Sequence, residues 1–174
     1  DGGPKFDLSR WDPAYFERLR SFVAEAGKRG IVVEVVLFSS YYGAGWPHSP
    51  MNAANNVNGV GAVPKEKAQT LDNGNLLAEQ ERVVRKIVAE LKDFDNVYYE
   101  IQNEPWADHE RAADVVNPSV LPGDVAPPGT FWKNRVDLAG PESLAWQAPM
   151  AAVVTEEEDR LGVRHLVAQN YCNH

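Results

Sequence analysis

Apolar and polar positions along the chain follow two rhythms. Asp12-Pro13 pairs an N-cap residue with proline at the first helical position. Tyr15, Leu19, Phe22, Val23 and Ala26 then recur at helical spacing, with Glu17, Arg18, Arg20 and Glu25 between them. Gly27 and Gly30 stand where a helix ends. Ile31 to Phe38 is nearly all apolar and β-branched, the pattern of a parallel strand covered on both faces. From Asn75 the helical rhythm resumes through Leu76, Leu77, Val83, Val84, Ile87, Val88 and Leu91. Asp95-Asn96 turns the chain into a strand over Val97 to Gln102. A third helix is expected from Glu142 to Leu161, with Pro149 either in its first turns or breaking it, and Gly162 closing it. Arg164 to Tyr171 reads as a third strand.

Two segments lack either rhythm. Residues 39 to about 74 are rich in Gly, Asn, Ser and Pro, and 105 to about 141 carry many prolines. Loops this long inside a compact domain tend to be functional or disordered. Both follow strands, whereas the helix-to-strand turns are short. Alternating helices and strands predict an α/β fold of parallel strands joined by right-handed crossovers. In barrels and open sheets of this class, the loops after the strands build the functional face.

Composition narrows the partners. The chain has 174 residues, 44% of them hydrophobic, enough for one domain with a core. Its formal net charge is -8, which argues against nucleic acid, because phosphate binding needs basic surface. No apolar run approaches the ~20 residues of a membrane span, and Asp1 to Lys5 shows no signal peptide. Cys172 is the single cysteine, too few for an internal disulfide or a thiolate metal cluster. His48, His109, His165 and His174 lack metal-ligand spacing. No cofactor is implied.

The most informative stretch is Tyr98-Tyr99-Glu100-Ile101-Gln102-Asn103-Glu104-Pro105. It reads as a buried strand that delivers Asn103 and Glu104 to its C-terminal end, where Pro105 stops the pairing. A carboxyl group held on a strand end suits acid–base chemistry. The plainer alternatives are that Glu104 caps the next loop or pairs with an arginine, and that Asn103 only forms the turn. By period two, Glu100, Gln102 and Glu104 share one strand face. Glu100 is expected to pair with a buried arginine from outside residues 1–174 rather than to catalyse.

Three segments give the chain a family likeness: Phe6 to Phe16, Ala26 to Val35, and Asn96 to Pro105 with its Asn-Glu-Pro ending. Together they resemble the retaining β-glycoside hydrolases of clan A, the cellulase and mannanase family 5 among them. His165 to Asn170 would be the next strand. The resemblance implies part of an eight-fold β/α barrel, from about helix two to strand five, with strand one and strands six to eight outside residues 1–174. It implies that Glu104 is the general acid/base and that Asn103 bonds the sugar 2-hydroxyl. The nucleophilic glutamate of the family ends strand seven, so this chain alone is expected to be an incomplete glycosidase. Enzymes of this kind are often exported.

Aromatic rings stack on sugar faces, so Tyr41, Tyr42, Trp46 and Trp106, just past strand ends, are candidate substrate contacts. They could equally pack the loops. Trp11, Trp132 and Trp146 look like packing residues. His48 and Asn170 are further substrate-binding candidates, and His165 sits at the wrong strand end. His109 and the run Glu156 to Asp159 read as solvated. The expected substrate is an oligo- or polysaccharide. Competing readings are a barrel isomerase or lyase that uses Glu104 as base, and a carbohydrate-binding remnant without catalysis. The open sheet edges of part of a barrel are expected to favour self-association.

Overall fold

The computed structural model describes residues 5–107, 112–114 and 135–172. The elements in chain order are α1 (Pro13–Gly27), β1 (Val33–Ser39), α2 (Lys65–Ala68), α3 (Leu76–Leu91), β2 (Val97–Asn103), β3 (Ala112–Asp114), β4 (Arg135–Asp137), α4 (Pro141–Leu161) and β5 (Leu166–Ala168). Single 3₁₀ turns lie at Trp46–His48 and Pro105–Ala107. The fold is mixed α/β. A parallel sheet has the order β1-β2-β5, and β3 and β4 form a separate antiparallel pair.

Helix α1 starts where the sequence places it. The Asp12 carboxylate accepts from the Ala14 N–H at 2.9 Å, satisfying one of the donors that a helix start leaves open. Its far end is tied to the sheet by Asn96, whose side-chain amide donates to the Val23 and Ile31 carbonyls, both at 3.1 Å. Asn96 is therefore more than a turn former: it joins the end of α1 to the approach to β1.

The core lies between one sheet face and the helices. Val35, Leu37, Phe38, Val97, Tyr99 and Ile101 of the sheet pack with Phe16 and Val23 of α1, Val84, Val88 and Leu91 of α3, and Trp146, Met150 and Val154 of α4. The opposite sheet face is open and polar, bearing Glu34, Tyr98 and Glu100, with Val36 at 41% and Leu166 at 79% exposure. The sequence pattern suggested a β1 covered on both faces, but its apolar residues alternate between core and surface over Val33 to Leu37.

That alternation breaks at the same register in β1 and β2. Leu37 and Phe38 are buried in succession, as are Ile101 and Gln102, and Phe38 pairs with Gln102. The Phe38 ring meets Trp146 of α4 edge-on at 5.1 Å. Gln102 hydrogen-bonds Ser143 of the same helix. Strict period two would have put Gln102 beside Glu100, but the change of parity turns it toward α4.

Other expectations shift as well. Pro149 is the ninth residue of α4, and the helix runs on past it. Proline cannot donate to the carbonyl one turn back, yet the buried neighbours Trp146, Met150, Val153 and Val154 hold the helix together. The third strand is three residues rather than eight, and among the described residues β5 has a ladder only to β2. The acidic run is solvated at Glu156 and Asp159, whereas Glu157 and Glu158 are 4% and 1% exposed. Arg160 and Arg85 flank Glu157 and hold its carboxyl below the usual range. Glu158 accepts from the His165 N–H at 3.0 Å and faces the ring Nδ1 at 2.8 Å. The other ring nitrogen, Nε2, lies 2.7 Å from the Phe94 carbonyl, which can only accept, so Nε2 carries a proton. This buried link joins the end of α4, the start of β5 and the turn before β2.

The loop over 39–74 is built around its own small core of Trp46, Val60, Ala68 and Leu76. Asn56, 2% exposed, donates to the Pro50, Asn52 and Val60 carbonyls and accepts from the Val60 N–H. Gly61 has φ +80°, and a Cβ there would fall 1.8 Å from the Met51 carbonyl oxygen, so only glycine fits. No helix among the described residues is long and apolar enough to cross a membrane.

Candidate functional site

The C-terminal ends of β1 and β2 lie side by side, with Ser39 in register with Asn103. The Ser40 N–H donates to the Asn103 carbonyl at 3.1 Å, extending the pairing one residue beyond the strands. Glu104 follows with φ +49°, the one positive value at a non-glycine position among the described residues. An L-residue in this left-handed region costs roughly 1–2 kcal/mol. Such strain persists only where the surroundings impose it, and it is concentrated at functional sites.

Two groups from the chain just after β1 hold Glu104. The Ser40 hydroxyl donates to the Glu104 carbonyl at 2.7 Å. The Tyr42 hydroxyl donates to the carboxylate oxygen Oε2. The carboxyl group, half-buried, is thereby oriented at the open end of the sheet. Pro105 begins a 3₁₀ turn immediately afterwards, so β2 ends at Asn103.

Beneath Glu104 lies a buried polar network. Gln102, fully buried, donates through Nε2 to the Gln69 carbonyl oxygen at 2.7 Å and to Ser40 Oγ at 3.1 Å. Its own carbonyl oxygen accepts from Ser143 Oγ at 2.7 Å. Gln69 donates to the Ser39 carbonyl at 3.0 Å, and Gln147 donates to Ser143 Oγ at 3.2 Å. Period two placed Gln102 on the open face with Glu100 and Glu104, and Gln69, Ser143 and Gln147 were not among the candidates. A polar Gln inside a strand and a Ser and Gln one turn apart in a helix were the available signals.

Glu100 sits lower on the open face. Burial, the nearby Glu34 charge, a hydrogen bond with Glu34 and the Glu104 charge all push its carboxyl above the usual carboxylate range, while a hydrogen bond from Asn170 opposes them. Among the described residues the neighbours of Glu100 are thus a carboxyl and an amide; the arginine expected for it would come from outside residues 1–174. Tyr99, on the core side, is pushed well above the usual phenol range by burial and the Glu158 charge.

The other candidates divide. Tyr42 is 48% exposed and touches Glu104, and Asn103 and Trp106 flank it, both half-buried. Asn170 reaches the same face through Glu100. Trp46 belongs instead to the loop core: it is 4% exposed, its indole N–H donates to the Val63 carbonyl at 2.8 Å, and Tyr41 packs edge-on against it at 4.8 Å. His48 is exposed at the end of the Trp46 turn. His109, Trp132 and His174 lie outside the described residues. Among the described residues, no group of three or more His, Cys, Asp or Glu side chains could hold a metal.

No protein-family model, curated protein or solved structure matches this chain. The functional reading therefore rests on the residues and their arrangement.

Proposed function

We propose that the chain is part of a retaining β-glycoside hydrolase acting on an oligo- or polysaccharide, with Glu104 as general acid/base. The observation that carries the reading is Glu104 itself. It is a carboxyl at the C-terminal end of a parallel strand, in a strained backbone, fixed by Ser40 and Tyr42 from the neighbouring strand end. A group that must protonate a leaving oxygen and later deprotonate water has to be held in place through both steps. Asn103 beside it supplies an amide for the sugar 2-hydroxyl, and Trp106 a ring for stacking.

The topology supports a (β/α)8 barrel as the parent fold. Strands β1, β2 and β5 lie side by side in the order in which the chain reaches them, and α1, α3 and α4 cover the same sheet face. A doubly wound sheet would place helices on both faces. Here the second face carries Glu34, Tyr98 and Glu100, suited to the interior of a barrel near its mouth. On this reading further strands extend both edges, and the nucleophile comes from outside these 174 residues, about 5–5.5 Å from Glu104 in a retaining enzyme.

The test is hydrolysis of aryl β-glycosides and soluble β-glucans and β-mannans by the protein expressed from the complete reading frame. Turnover that Glu104→Gln reduces by at least about a hundredfold is expected. No turnover on any glycan, or turnover indifferent to Glu104→Gln, would overturn the assignment. Oligosaccharide binding without turnover would instead favour a carbohydrate-binding role.

A further inference from the structure

The network under Glu104 has a fixed direction. Its two ends are backbone carbonyls, which can only accept. Because the Ser39 carbonyl must accept, Gln69 turns its amide N–H₂ to it and presents its carbonyl oxygen to Gln102. Gln102 must then offer its own N–H₂ to Gln69, and the second hydrogen of that group meets Ser40 Oγ. With its oxygen already accepting from Gln102, Ser40 directs its hydroxyl hydrogen to the Glu104 carbonyl. On the other side, Gln102 Oε1 is held by the hydroxyl of Ser143 in α4. Neither the Gln69 nor the Gln102 amide can be flipped without breaking at least two bonds. Ser40, Gln69, Gln102, Ser143 and Gln147 are all at least about nine-tenths buried, so water does not substitute for these partners.

We propose that Gln102 is a positioning residue for Glu104, acting through Ser40: it locks the backbone of Glu104 into its left-handed conformation and so sets the direction of the carboxyl group. The inference rests on the acid/base reading of Glu104 for its catalytic consequence, but not for its structural one. The parity change that buries Gln102 at the Phe38 register is what makes the linkage possible. A residue facing the open side with Glu100 could not reach both Ser143 and Ser40.

The experiment measures two properties of the complete protein in Gln102→Met, Ser40→Ala and Ser40→Thr. The first is the ¹³C resonance of the Glu104 carboxyl carbon, assigned by its loss in Glu104→Gln. The second is kcat and KM on an aryl β-glycoside. Gln102→Met and Ser40→Ala are expected to move or broaden the resonance and lower kcat by about 10–100-fold with KM nearly unchanged, as loss of orientation does. Ser40→Thr, which keeps the hydroxyl, is expected to preserve both. Val88→Ala, a core truncation remote from the network, should reduce stability but leave the resonance in place. An unmoved resonance in both Gln102→Met and Ser40→Ala would overturn the inference, whatever the activity. If the wild type cleaves no glycoside but the resonance moves, the positioning stands and the glycosidase reading fails. Should Gln102→Met not fold, Ser40→Ala decides alone.

Discussion

Substituting Glu104 separates backbone strain from side-chain function. Glu104→Ala and Glu104→Gly both remove the carboxyl and its bond from Tyr42, so the two variants differ in how they tolerate φ +49° and in the entropy of the unfolded chain. Alanine keeps the left-handed penalty of roughly 1–2 kcal/mol. Glycine has none, but it loses about 0.4–1 kcal/mol more chain entropy on folding. The glycine variant should therefore be the more stable by about 0.8 kcal/mol, which for a chain of this length is about 2–3 °C in Tm. Paired urea denaturation with matched m-values measures the difference directly. At most positions the order is reversed, with alanine ahead of glycine. Finding that usual order at residue 104 would mean that the strain is absent, and with it the reason to regard Glu104 as imposed by its surroundings.

Further outcomes are expected elsewhere. Trp146 is fully buried and its indole N–H donates to Gln80 Oε1 at 2.9 Å, so Trp146→Phe should cost about 2–4 kcal/mol through lost volume and a lost bond, read by denaturant midpoint. Glu158→Leu would leave the His165 imidazole with one partner in the interior and should cost about 3 kcal/mol or more, whereas Glu156→Leu on the exposed side should change stability by less than about 0.5 kcal/mol. The raised Glu100 carboxyl has a pH signature. Its folded state holds a proton more tightly than the unfolded chain, so its contribution is present below the ordinary value of 4.5 and is lost as pH rises through the raised folded value. Glu100→Gln should therefore stabilise the protein at pH 7 relative to wild type and lose that advantage near pH 4, measured by Tm across pH. Gly61→Ala should destabilise the loop by more than about 1 kcal/mol and shift thermal unfolding downward, since its Cβ would overlap the Met51 carbonyl.

The repeating layer was readable because it depends on local signals. Asp12-Pro13 starts α1, the Leu76 to Leu91 rhythm gives α3, and Gly162 with φ +73° closes α4. Glu104 at a strand end was also readable, since Pro105 marks the break. What stayed hidden depends on contacts distant in sequence. The burial of Gln102 arises from a parity change shared by two strands 64 residues apart at Ser40 and Glu104. Trp46 read equally as a substrate contact or a packing residue, because the core that buries it is assembled within the loop from Val60, Ala68 and Leu76. Glu157 and Glu158 looked solvated because their partners, Arg85 and His165, come from other elements.

The proposed role of Glu104 as the acid/base of a retaining glycosidase has a specific chemical test in Glu104→Ala of the complete protein. An acid/base is needed most when the leaving group is poor. Hydrolysis of a substrate with a good leaving group, such as a dinitrophenyl β-glycoside, should fall by about tenfold or less in its glycosylation step, while substrates with alkyl or sugar leaving groups fall by about 10³-fold. Added azide should restore turnover and yield the β-glycosyl azide, because the anion attacks the glycosyl-enzyme without needing a base. A loss equal for all leaving groups, with no azide product, would contradict the assignment of Glu104.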